Sequence, residues 1–431
     1  MITRNDNYGS WLVAGLCLLA IFLWLIEPSA INRFDSAHWP ASLGQILGLV
    51  GSVLLSVNFI LSTRLKVLDR IFFGLNNVYQ KHNLFGQLGL IALLLHPLFL
   101  LPKYTENAAQ VVKFLWLGNT LAINLGTIAL WSLVILVALT LYWRPKYHLW
   151  KLTHQFLGAS LLLAGLHIWL IPSNTANFWP LRVYILVLIG LAIVAFAYRT
   201  LFGRWLIKKT QFKVLKINAL SQDVIEIRLK LAAGEVFDFY PGQFVFLNFK
   251  SDQISSEAHP FSITSGPDDD FVSVTIKKLG DYTQHITKIK PGTLAEIEGP
   301  FGVFATPNKA NQKQIWIGGG IGITPFVSMA KTLTADSPEV DLFYSIKTPQ
   351  DAVYLDLFAK ITSKLPDQFR VFPIYTDKQG FLTAKAINKV SVLKDKEIFI
   401  CAPPIMIDSF KKQLIDLGVK TPSIHYEVFD L

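Results

Sequence analysis

The sequence is poor in cysteine and in charge. It has two cysteines in 431 residues, Cys17 and Cys401, and two such distant thiols exclude a disulfide framework and a cysteine-rich metal site. Charged residues make up only 16% of the chain and hydrophobic residues 52%, an imbalance typical of membrane proteins. The net charge of +10 comes from basic residues that flank apolar runs and form no single stripe, so we expect no nucleic-acid partner.

Apolar residues concentrate in the first half of the chain, and charge and turn residues dominate the second half. Six runs approach the roughly 20 residues needed to cross a lipid bilayer, which predicts a six-helix transmembrane bundle within a domain of residues 1–209. The first run has no convincing signal-peptidase site in "EPSAINRF", so we expect it to be retained. The runs cover residues 11–26, 43–61, 84–101, 121–143, 156–171 and 181–198.

Lys and Arg residues cluster at one set of the predicted helix ends and are sparse at the other set. By the positive-inside rule, the richer side is cytoplasmic. We therefore expect a multi-pass protein of the cell (inner or plasma) membrane. Both termini and the whole charged second half would face the cytosol.

Four histidines lie at matched depths in the third and fifth runs. His82 and His154 open these runs on the cytoplasmic side, and His96 and His167 lie nearer the outside. Ionisable side chains are costly in a bilayer and are functional candidates, and imidazole is a good ligand for iron. A spacing of 13 to 14 residues separates the two levels by about 20 Å. The pattern predicts two haems held between the two helices.

The two spacings differ by one residue. Fourteen residues keep His82 and His96 within about 40° on one helical face, whereas thirteen residues turn His167 by about 140° from His154. We therefore expect a kink near Gly158 or Gly165, or a rotation of one haem against the other. The alternative is that these histidines only form interhelical hydrogen bonds. That is the commoner role of a single histidine, but four at matched depths favour the haem interpretation.

The second half of the chain shows two further patterns. Alternating apolar residues in "DVIEIRLK" and "FVSVTIKK" predict a small antiparallel β-barrel over residues 210–308. The segment "KQIWIGGGIGITPFVSMAKTL" is typical of a strand, a glycine-rich turn and a helix, and it opens an α/β parallel-sheet nucleotide-binding domain over residues 309–431. Such a turn brings the backbone close to a pyrophosphate at a helix N-terminus, although it can also serve only to pack a helix on a sheet.

Five motifs then occur in order, namely "HPFSITSGP", "LGDYT", "GPFG", "GGGIGITPF" and "CAPP". Together they resemble those of the ferredoxin-NADP reductase-like flavoproteins. With the four histidines, the chain is most similar to the NADPH oxidase and ferric reductase branch of that group, in its prokaryotic form. The resemblance covers nearly the whole chain. It implies FAD, two haem b groups and NADPH or NADH as cofactors.

The resemblance also implies roles for matching residues. Phe261 would lie beside the isoalloxazine, Ser262 would hydrogen-bond near its reactive nitrogen, Cys401 would lie near the nicotinamide, and Phe429 would cover the flavin. As isolated residues, Lys277 would fit a solvated strand face and Cys401 a plain core position. Two residues follow Phe429, whereas oxidases of this branch often end at this aromatic. Lys347 lies where a basic residue would bind a 2′-phosphate, which favours NADPH. The implied flavin site is His259, Pro260, Phe261, Ser262, Thr264, Lys277, Gly280, Asp281, Tyr282 and Thr283, and the implied nucleotide site is Gly318, Gly319, Gly320, Gly322, Thr324, Pro325 and Lys347.

The expected function is that of a transmembrane oxidoreductase. Electrons would pass from cytosolic NAD(P)H through FAD and two b-type haems to a small-molecule acceptor outside. Oxygen, giving superoxide, is the first expectation and a ferric chelate the second; a quinone or the oxidised methionine of another protein are further acceptors. The alternative of another class is a haem-free NAD(P)H- or flavin-responsive membrane channel or sensor. With no EF-hand-like loop and no long cytosolic N-terminal extension, we expect turnover without an activator or an obligatory protein partner.

Overall fold

The computed structural model describes residues 7–28, 35, 38–104, 111, 115–118, 120–142, 147–173, 177–232, 236–304 and 312–427. The chain divides into two compact units. One comprises residues 6–207 and the other is built on residues 208–431.

The first unit is helical. Its helices are apolar on nearly all faces, as expected for segments surrounded by lipid. Five of them are long and apolar enough to cross a membrane, the last being α8 with its continuation to Leu201. The helices are α1 (Tyr8–Leu25), α2 (Trp39–Leu61), α3 (Lys66–Ile71), α4 (Leu75–Leu100), α5 (Leu121–Tyr142), α6 (Tyr147–Gln155), α7 (Leu157–Leu170), α8 (Trp179–Phe196) and α9 (Gly203–Leu206).

The predicted fifth span differs from the others. Residues 156–171 form α7, which has 14 residues and is therefore about 21 Å long. That is less than the roughly 30 Å of a bilayer core. The nine-residue helix α6 precedes α7 with only Phe156 between them. Among the residues that the structure describes, there are thus five candidate spans of full length where the sequence predicts six.

The second unit begins with a six-stranded antiparallel sheet in the order β4-β3-β6-β1-β2-β5. The two edge strands approach each other at an isolated bridge between Ile263 and Val274. Alternate strand residues fill one buried apolar core, as the period-two pattern predicts. The strands are β1 (Thr210–Ala219), β2 (Val224–Leu231), β3 (Phe244–Lys250), β4 (His259–Ser262), β5 (Val272–Lys277) and β6 (Leu294–Phe301), and the short helix α10 (Asp281–His285) follows β5.

A five-stranded parallel sheet follows, in the order β11-β10-β7-β8-β9. Its three central strands, β10, β7 and β8, are almost wholly buried, as in sheets covered by helices on both faces. The chain leaves β7 to one side for β8 and returns on the other side as β10, so the strand order reverses between β7 and β10. The elements are β7 (Gln314–Gly319), α11 (Thr324–Lys331), β8 (Val340–Ile346), α12 (Leu355–Lys364), β9 (Phe369–Tyr375), α13 (Thr376–Gln379), α14 (Ala384–Val390), β10 (Glu397–Cys401), α15 (Pro404–Asp416) and β11 (Ile424–Glu427).

Polar contacts join the two sheets of the second unit. Ser328 Oγ on α11 donates a 2.6 Å hydrogen bond to the carbonyl of Ser265, and Lys331 Nζ lies 3.0 Å from Asp269 Oδ2. Both partners follow β4, so α11 is fixed against the loop that leaves the first sheet.

Candidate functional site

The structure brings the rings of His82 and His154 close together. Their ring centres are 6.2 Å apart and the ring planes are inclined by 58°. The Nδ1–H of His82 donates to the carbonyl of Asn58 at 3.0 Å, because a carbonyl oxygen can only accept. Trp150 stacks on His154 at 5.3 Å. Within the described residues, Nδ1 of His154 is buried and has no hydrogen-bond partner.

The second predicted pair, His96 and His167, is held by two neighbouring helices. The Nδ1–H of His96 donates to the carbonyl of Gly44 on α2 at 2.6 Å. The Nδ1–H of His167 donates to the carbonyl of Ala122 on α5 at 2.7 Å. With both Nδ1 atoms occupied, each ring has its Nε2 lone pair available to a metal.

The spacing of the His82 and His154 rings leaves room for a metal ion between them. Two imidazoles that share one metal ion have ring centres roughly 6 Å apart, because each metal–nitrogen bond is roughly 2.0 Å long, and the His82–His154 distance matches this value. A haem iron takes only axial ligands from the protein, so a pair of histidines is sufficient. Among the residues that the structure describes, no group of three or more His, Cys, Asp or Glu side chains is placed to hold a metal ion.

The thirteen-residue spacing coincides with a break in the helix. Phe156, between α6 and α7, donates from its backbone N–H to the carbonyls of Leu152 (3.3 Å) and Thr153 (3.2 Å), and its own carbonyl accepts from Ala159 at 2.9 Å. Two of these bonds join residues three apart, which overwinds the helix locally. The break lies two residues from Gly158, where an added Cβ would overlap the ring of Phe196. This overwound turn lies within the thirteen-residue interval between His154 and His167.

The predicted flavin residues on β4 meet the start of α10. The rings of His259 and Tyr282 stack with centres 4.0 Å apart, and His259 Nε2 lies 3.1 Å from Glu257 Oε2. Burial, and to a lesser extent the Glu257 carboxylate, raises the pKa of Tyr282, so its hydroxyl stays protonated. In the described part of the chain this buried hydroxyl has no hydrogen-bond partner. A polar flavin ligand at this position would satisfy it.

The turn before α10 is organised by Thr283. Its Oγ1 accepts hydrogen bonds from the backbone N–H groups of Leu279 (2.9 Å) and Gly280 (3.0 Å). A Cβ added at Gly280 would meet nothing within 4 Å among the described residues, so the backbone here is open to a ligand. Asp281 is exposed, and Lys277 is half-buried at the end of β5.

Thr264 is placed differently from the other predicted flavin residues. Its side chain is buried, and its Oγ1 lies 2.9 Å from Ser273 Oγ and 3.3 Å from Thr275 Oγ1. Thr275 Oγ1 in turn lies 2.5 Å from the hydroxyl of Tyr354, which precedes α12. The Thr264 hydroxyl is therefore engaged in a polar network between the two sheets.

The glycine-rich turn follows β7 as predicted, and its glycines have different surroundings. A Cβ at Gly319 would lie 2.8 Å from Cβ of Ala402, and one at Gly322 would lie 2.6 Å from the carbonyl carbon of Cys401. These two glycines allow the turn to pack against β10. Gly320 has a φ of +56° and no described neighbour within 4 Å of an added Cβ, so a ligand can approach the backbone there.

The remaining predicted residues of the turn are buried. Gly318, the next-to-last residue of β7, pairs with Cys401, and the Oγ1 of Thr324 donates to the carbonyl of Ile321 at 2.9 Å. Pro325 lies in the first turn of α11, where its fixed φ suits a helix start.

Three neighbouring strands end together at the reversal of strand order. Cys401 of β10 is paired in register with Gly318 of β7 and with Glu427 of β11. A Cβ at Gly302 would lie 3.0 Å from Glu427 Oε1. Burial, and secondarily Glu427, raises the pKa of the Cys401 thiol well above its usual value. Ligands of parallel α/β sheets bind at this kind of crevice.

Glu427 was not identified from the sequence. The available signal was its position in "YEVFDL", two residues before the predicted flavin-covering aromatic. Phe429 itself lies outside the described residues.

Lys347 lies at the carboxyl end of β8 and is exposed. Its carbonyl accepts a 3.2 Å hydrogen bond from the backbone N–H of Asp377, the second residue of α13. The structure thus brings an exposed acidic residue beside the lysine at the edge where a nucleotide ribose is expected. Asp377 was also missed from the sequence, because the two residues belong to different βα connections.

Comparison with known proteins gives three family matches in order along the chain. Residues 47–165 match a "Ferric reductase like transmembrane component", residues 209–305 an "FAD-binding domain", and residues 316–412 an "Oxidoreductase NAD-binding domain". The fold and these matches define a transmembrane flavin oxidoreductase with an NAD(P)H-binding domain. This order of domains matches the architecture of the NADPH oxidase and ferric reductase family.

Individual relatives each match about half of the chain. The ferredoxin reductase component of a 3-ketosteroid-9-alpha-monooxygenase from Rhodococcus rhodochrous is 28% identical over 228 residues, 50% of this chain and 65% of that protein. Flavohemoprotein A from Dictyostelium discoideum is 25% identical over 229 residues, 48% of this chain and 57% of that protein. The chain therefore spans less than two thirds of the length of either relative. A solved cytochrome P450 reductase of Amycolatopsis is 26% identical, covers 52% of this chain and 70% of its own, and has a TM-score of 0.47.

Proposed function

We propose that the protein transfers electrons across the membrane from cytosolic NAD(P)H to an acceptor outside, with oxygen as the first acceptor and superoxide as the product. FAD, when bound, would take a hydride from the nucleotide, and two bound b-type haems would carry single electrons onward. The observation that carries the proposal is the approach of His82 and His154, whose ring centres lie 6.2 Å apart, and the placement of His96 and His167 further along the same stretches of chain supports it. The cytosolic placement of the second unit rests on the distribution of basic residues.

The chain's own residues would bind and orient these groups. His82 with His154, and His96 with His167, would each hold one haem through their imidazole nitrogens. The β4 segment from His259 to Ser262 and the start of α10 would hold the flavin, and the open backbone at Gly320 would receive the nucleotide pyrophosphate at the N-terminal end of α11. At the sheet crevice, Cys401 and Glu427 would border the nicotinamide, where the high pKa of the thiol keeps it neutral.

We further propose that NADH is the better electron donor, in contrast to the expectation from Lys347 alone. In dinucleotide-binding sheets, an acidic residue at the carboxyl end of a strand hydrogen-bonds the ribose 2′-hydroxyl, whereas a basic residue receives a 2′-phosphate. Asp377 is held beside Lys347 by a backbone hydrogen bond. A carboxylate at this edge repels a 2′-phosphate and can accept from a ribose hydroxyl.

The first test is the absorbance spectrum of the full-length protein, purified in detergent from cells grown with ample haem. We expect a Soret band and two b-type haems per FAD by pyridine haemochrome assay. His96→Leu should lose one haem and keep the flavin, and Lys103→Leu, which removes a basic residue of the predicted outer side, serves as the control. A colourless protein with bound FAD would refute the haem role and favour the haem-free sensor or channel.

The second test identifies the acceptor. NADH-dependent reduction of cytochrome c is measured in air with and without superoxide dismutase, and again without oxygen. Inhibition by the dismutase supports superoxide formation. Reduction that ignores both the dismutase and oxygen, combined with rapid turnover of ferric citrate, would instead establish a ferric-chelate reductase. The match of residues 47–165 to a ferric reductase like component makes this the second candidate function.

A further inference from the structure

The two outer histidines are seated in the same way on two different helices. His96 contacts α2 and His167 contacts α5. In each case the imidazole Nδ1 reaches a backbone carbonyl, that of Gly44 at 2.6 Å or of Ala122 at 2.7 Å. Four residues further along each helix is a glycine, Gly48 or Gly126. Positions four apart lie on one face of a helix, so the carbonyl and the glycine form a single surface beneath each ring. We call this surface the seat of the histidine.

Both glycines lie directly against the histidine ring. A Cβ at Gly48 would lie 2.6 Å from Nδ1 and 2.8 Å from Cε1 of His96. A Cβ at Gly126 would lie 2.7 Å from Nδ1 and 2.8 Å from Cε1 of His167. Carbon and nitrogen atoms in ordinary contact are about 3.5–4.0 Å apart. An alanine at either position would therefore push the ring away from its carbonyl.

The same pattern is visible as a short internal repeat. Residues 44–48 read "GQILG" and residues 122–126 read "AINLG". In each segment a small residue is followed four positions later by glycine. Such spacings commonly serve close packing between membrane helices. Here the atoms that fill the space left by the glycine belong to histidine.

The inner histidines are not seated in this way. The Nδ1 of His82 has a longer bond of 3.0 Å to the Asn58 carbonyl, and the buried Nδ1 of His154 has no partner in the described part of the chain. On α5 the carbonyl of Leu136, fourteen residues after Ala122, accepts instead from Thr140 Oγ1 at 2.7 Å. Among the described residues, this combination of a carbonyl and a glycine beneath the ring thus occurs at His96 and His167 and is not repeated at His82 and His154.

We propose that Gly48 and Gly126 are positioning residues for the outer haem. They allow each imidazole to lie flat against its helix so that the Gly44 or Ala122 carbonyl fixes the hydrogen on Nδ1 and leaves Nε2 for the iron. This inference rests on the proposed function, because it assigns the seat to haem ligation. A ring held at both nitrogens has no freedom to yield to an added methyl group. Loss of such supporting contacts typically weakens metal affinity roughly 10–100-fold.

The test compares alanine variants of glycines in the full-length protein, purified in detergent. Gly48→Ala and Gly126→Ala carry the predicted defect. Gly51→Ala is the matched steric control, since its Cβ would lie 2.7 Å from Cγ of Leu93 between the same two helices but away from the histidine. Gly15→Ala is the open control, with no described atom within 4 Å of the added Cβ. Haem per FAD, low-spin ferric signals in electron paramagnetic resonance, and the rate of haem transfer to apomyoglobin are measured for each.

We expect Gly48→Ala and Gly126→Ala to release one of two haems roughly 10–100-fold faster than wild type and to alter one low-spin signal, while the other signal is unchanged. Both control variants should match wild type. NADH reduction of ferricyanide, which needs only the flavin, confirms that each variant is folded.

Three results would overturn the proposal. First, Gly48→Ala and Gly126→Ala could each keep two haems with unchanged resonance signals and transfer rates. That result would overturn the proposal and leave the proposed function intact. Equal haem loss in Gly51→Ala would reduce the effect to general helix packing. A wild-type protein that is folded and flavin-loaded but binds no haem would refute the proposed function itself, and the seat with it.

Discussion

Gly322, in the nucleotide-binding turn, packs directly against the backbone of β10. A Cβ added there would lie 2.6 Å from the carbonyl carbon of Cys401, closer still to its oxygen, and 3.0 Å from the amide nitrogen of Ala402. Since these neighbours are backbone atoms of a central strand and its continuation, no side-chain rotation can make room. Gly322→Ala must therefore separate the turn from β10 by roughly 1 Å to restore ordinary contact distances.

The expected cost follows from this displacement. Overpacking of a well-packed region costs about 3 kcal/mol at the upper end of its usual range. For a unit of this size, that loss lowers the unfolding temperature by roughly 6–12 °C. The shift also moves the backbone groups of the turn relative to the nucleotide, and a misplacement of about 1 Å can slow turnover at low substrate by up to about a hundredfold.

The assay is thermal unfolding of the full-length protein in detergent, together with steady-state reduction of ferricyanide by NADH. Gly266→Ala is the control, because a Cβ there would lie 3.6 Å from Cβ of Lys331, an ordinary contact. We expect Gly266→Ala to behave as wild type. If Gly322→Ala unfolds within about 1 °C of wild type and keeps its KM for NADH, the turn does not depend on this contact and the reasoning is wrong.

Three further predictions concern charges and a thiol in the second unit. Asp377→Asn should lower the KM for NADPH about tenfold, a change of about 1.4 kcal/mol, with little effect on NADH; equal KM ratios in variant and wild type would remove Asp377 from nucleotide selection. Asp341 is buried, and although burial raises its pKa, hydrogen bonds from Arg370, Ser391 and Lys396 lower it overall from 3.8. A carboxylate whose pKa is lower in the folded than in the unfolded protein stabilises the fold above the unfolded pKa, and this stabilisation is lost as the pH falls through the folded pKa. Asp341→Asn should therefore lower the unfolding temperature at pH 7, and its difference from wild type should shrink below about pH 4. A difference in unfolding temperature that does not change with pH would contradict this. The Cys401 thiol is buried and its pKa is raised, so we expect N-ethylmaleimide at pH 7 to alkylate it only after denaturant is added. Peptide mass spectrometry measures the modification, and alkylation of Cys401 in the native protein would show that the thiol is accessible to solvent.

Local sequence patterns determined much of the architecture. The period-two alternation in "DVIEIRLK" predicts β2, and its alternate residues indeed fill the core of the antiparallel sheet. The turn at Gly320 was predictable because a strand, a glycine cluster and a helix follow one another directly along the chain. The histidine pairs were predictable because depth in a membrane is set by position along a helix.

The span count shows where such patterns are insufficient. Residues 156–171 are as apolar as the other runs, yet their helix is separated from α6 by the break at Phe156. Apolar composition reports burial or lipid contact, but the backbone bonds that overwind the chain at Phe156 depend on packing around Gly158 and Phe196. The same break lies within the thirteen-residue interval between His154 and His167.

The sequence by itself thus determined the order of the domains, the class of each and the residue types available for haem, flavin and nucleotide, since these follow from composition and from periods of a few residues. Only the tertiary structure decided which distant residues meet. It brought Glu427 into register with Cys401, Asp377 beside Lys347, and Gly48 and Gly126 beneath His96 and His167. Each of these contacts joins different strands, helices or connections, and its partners are fixed by helix packing and strand register, for which a single sequence carries no local signal.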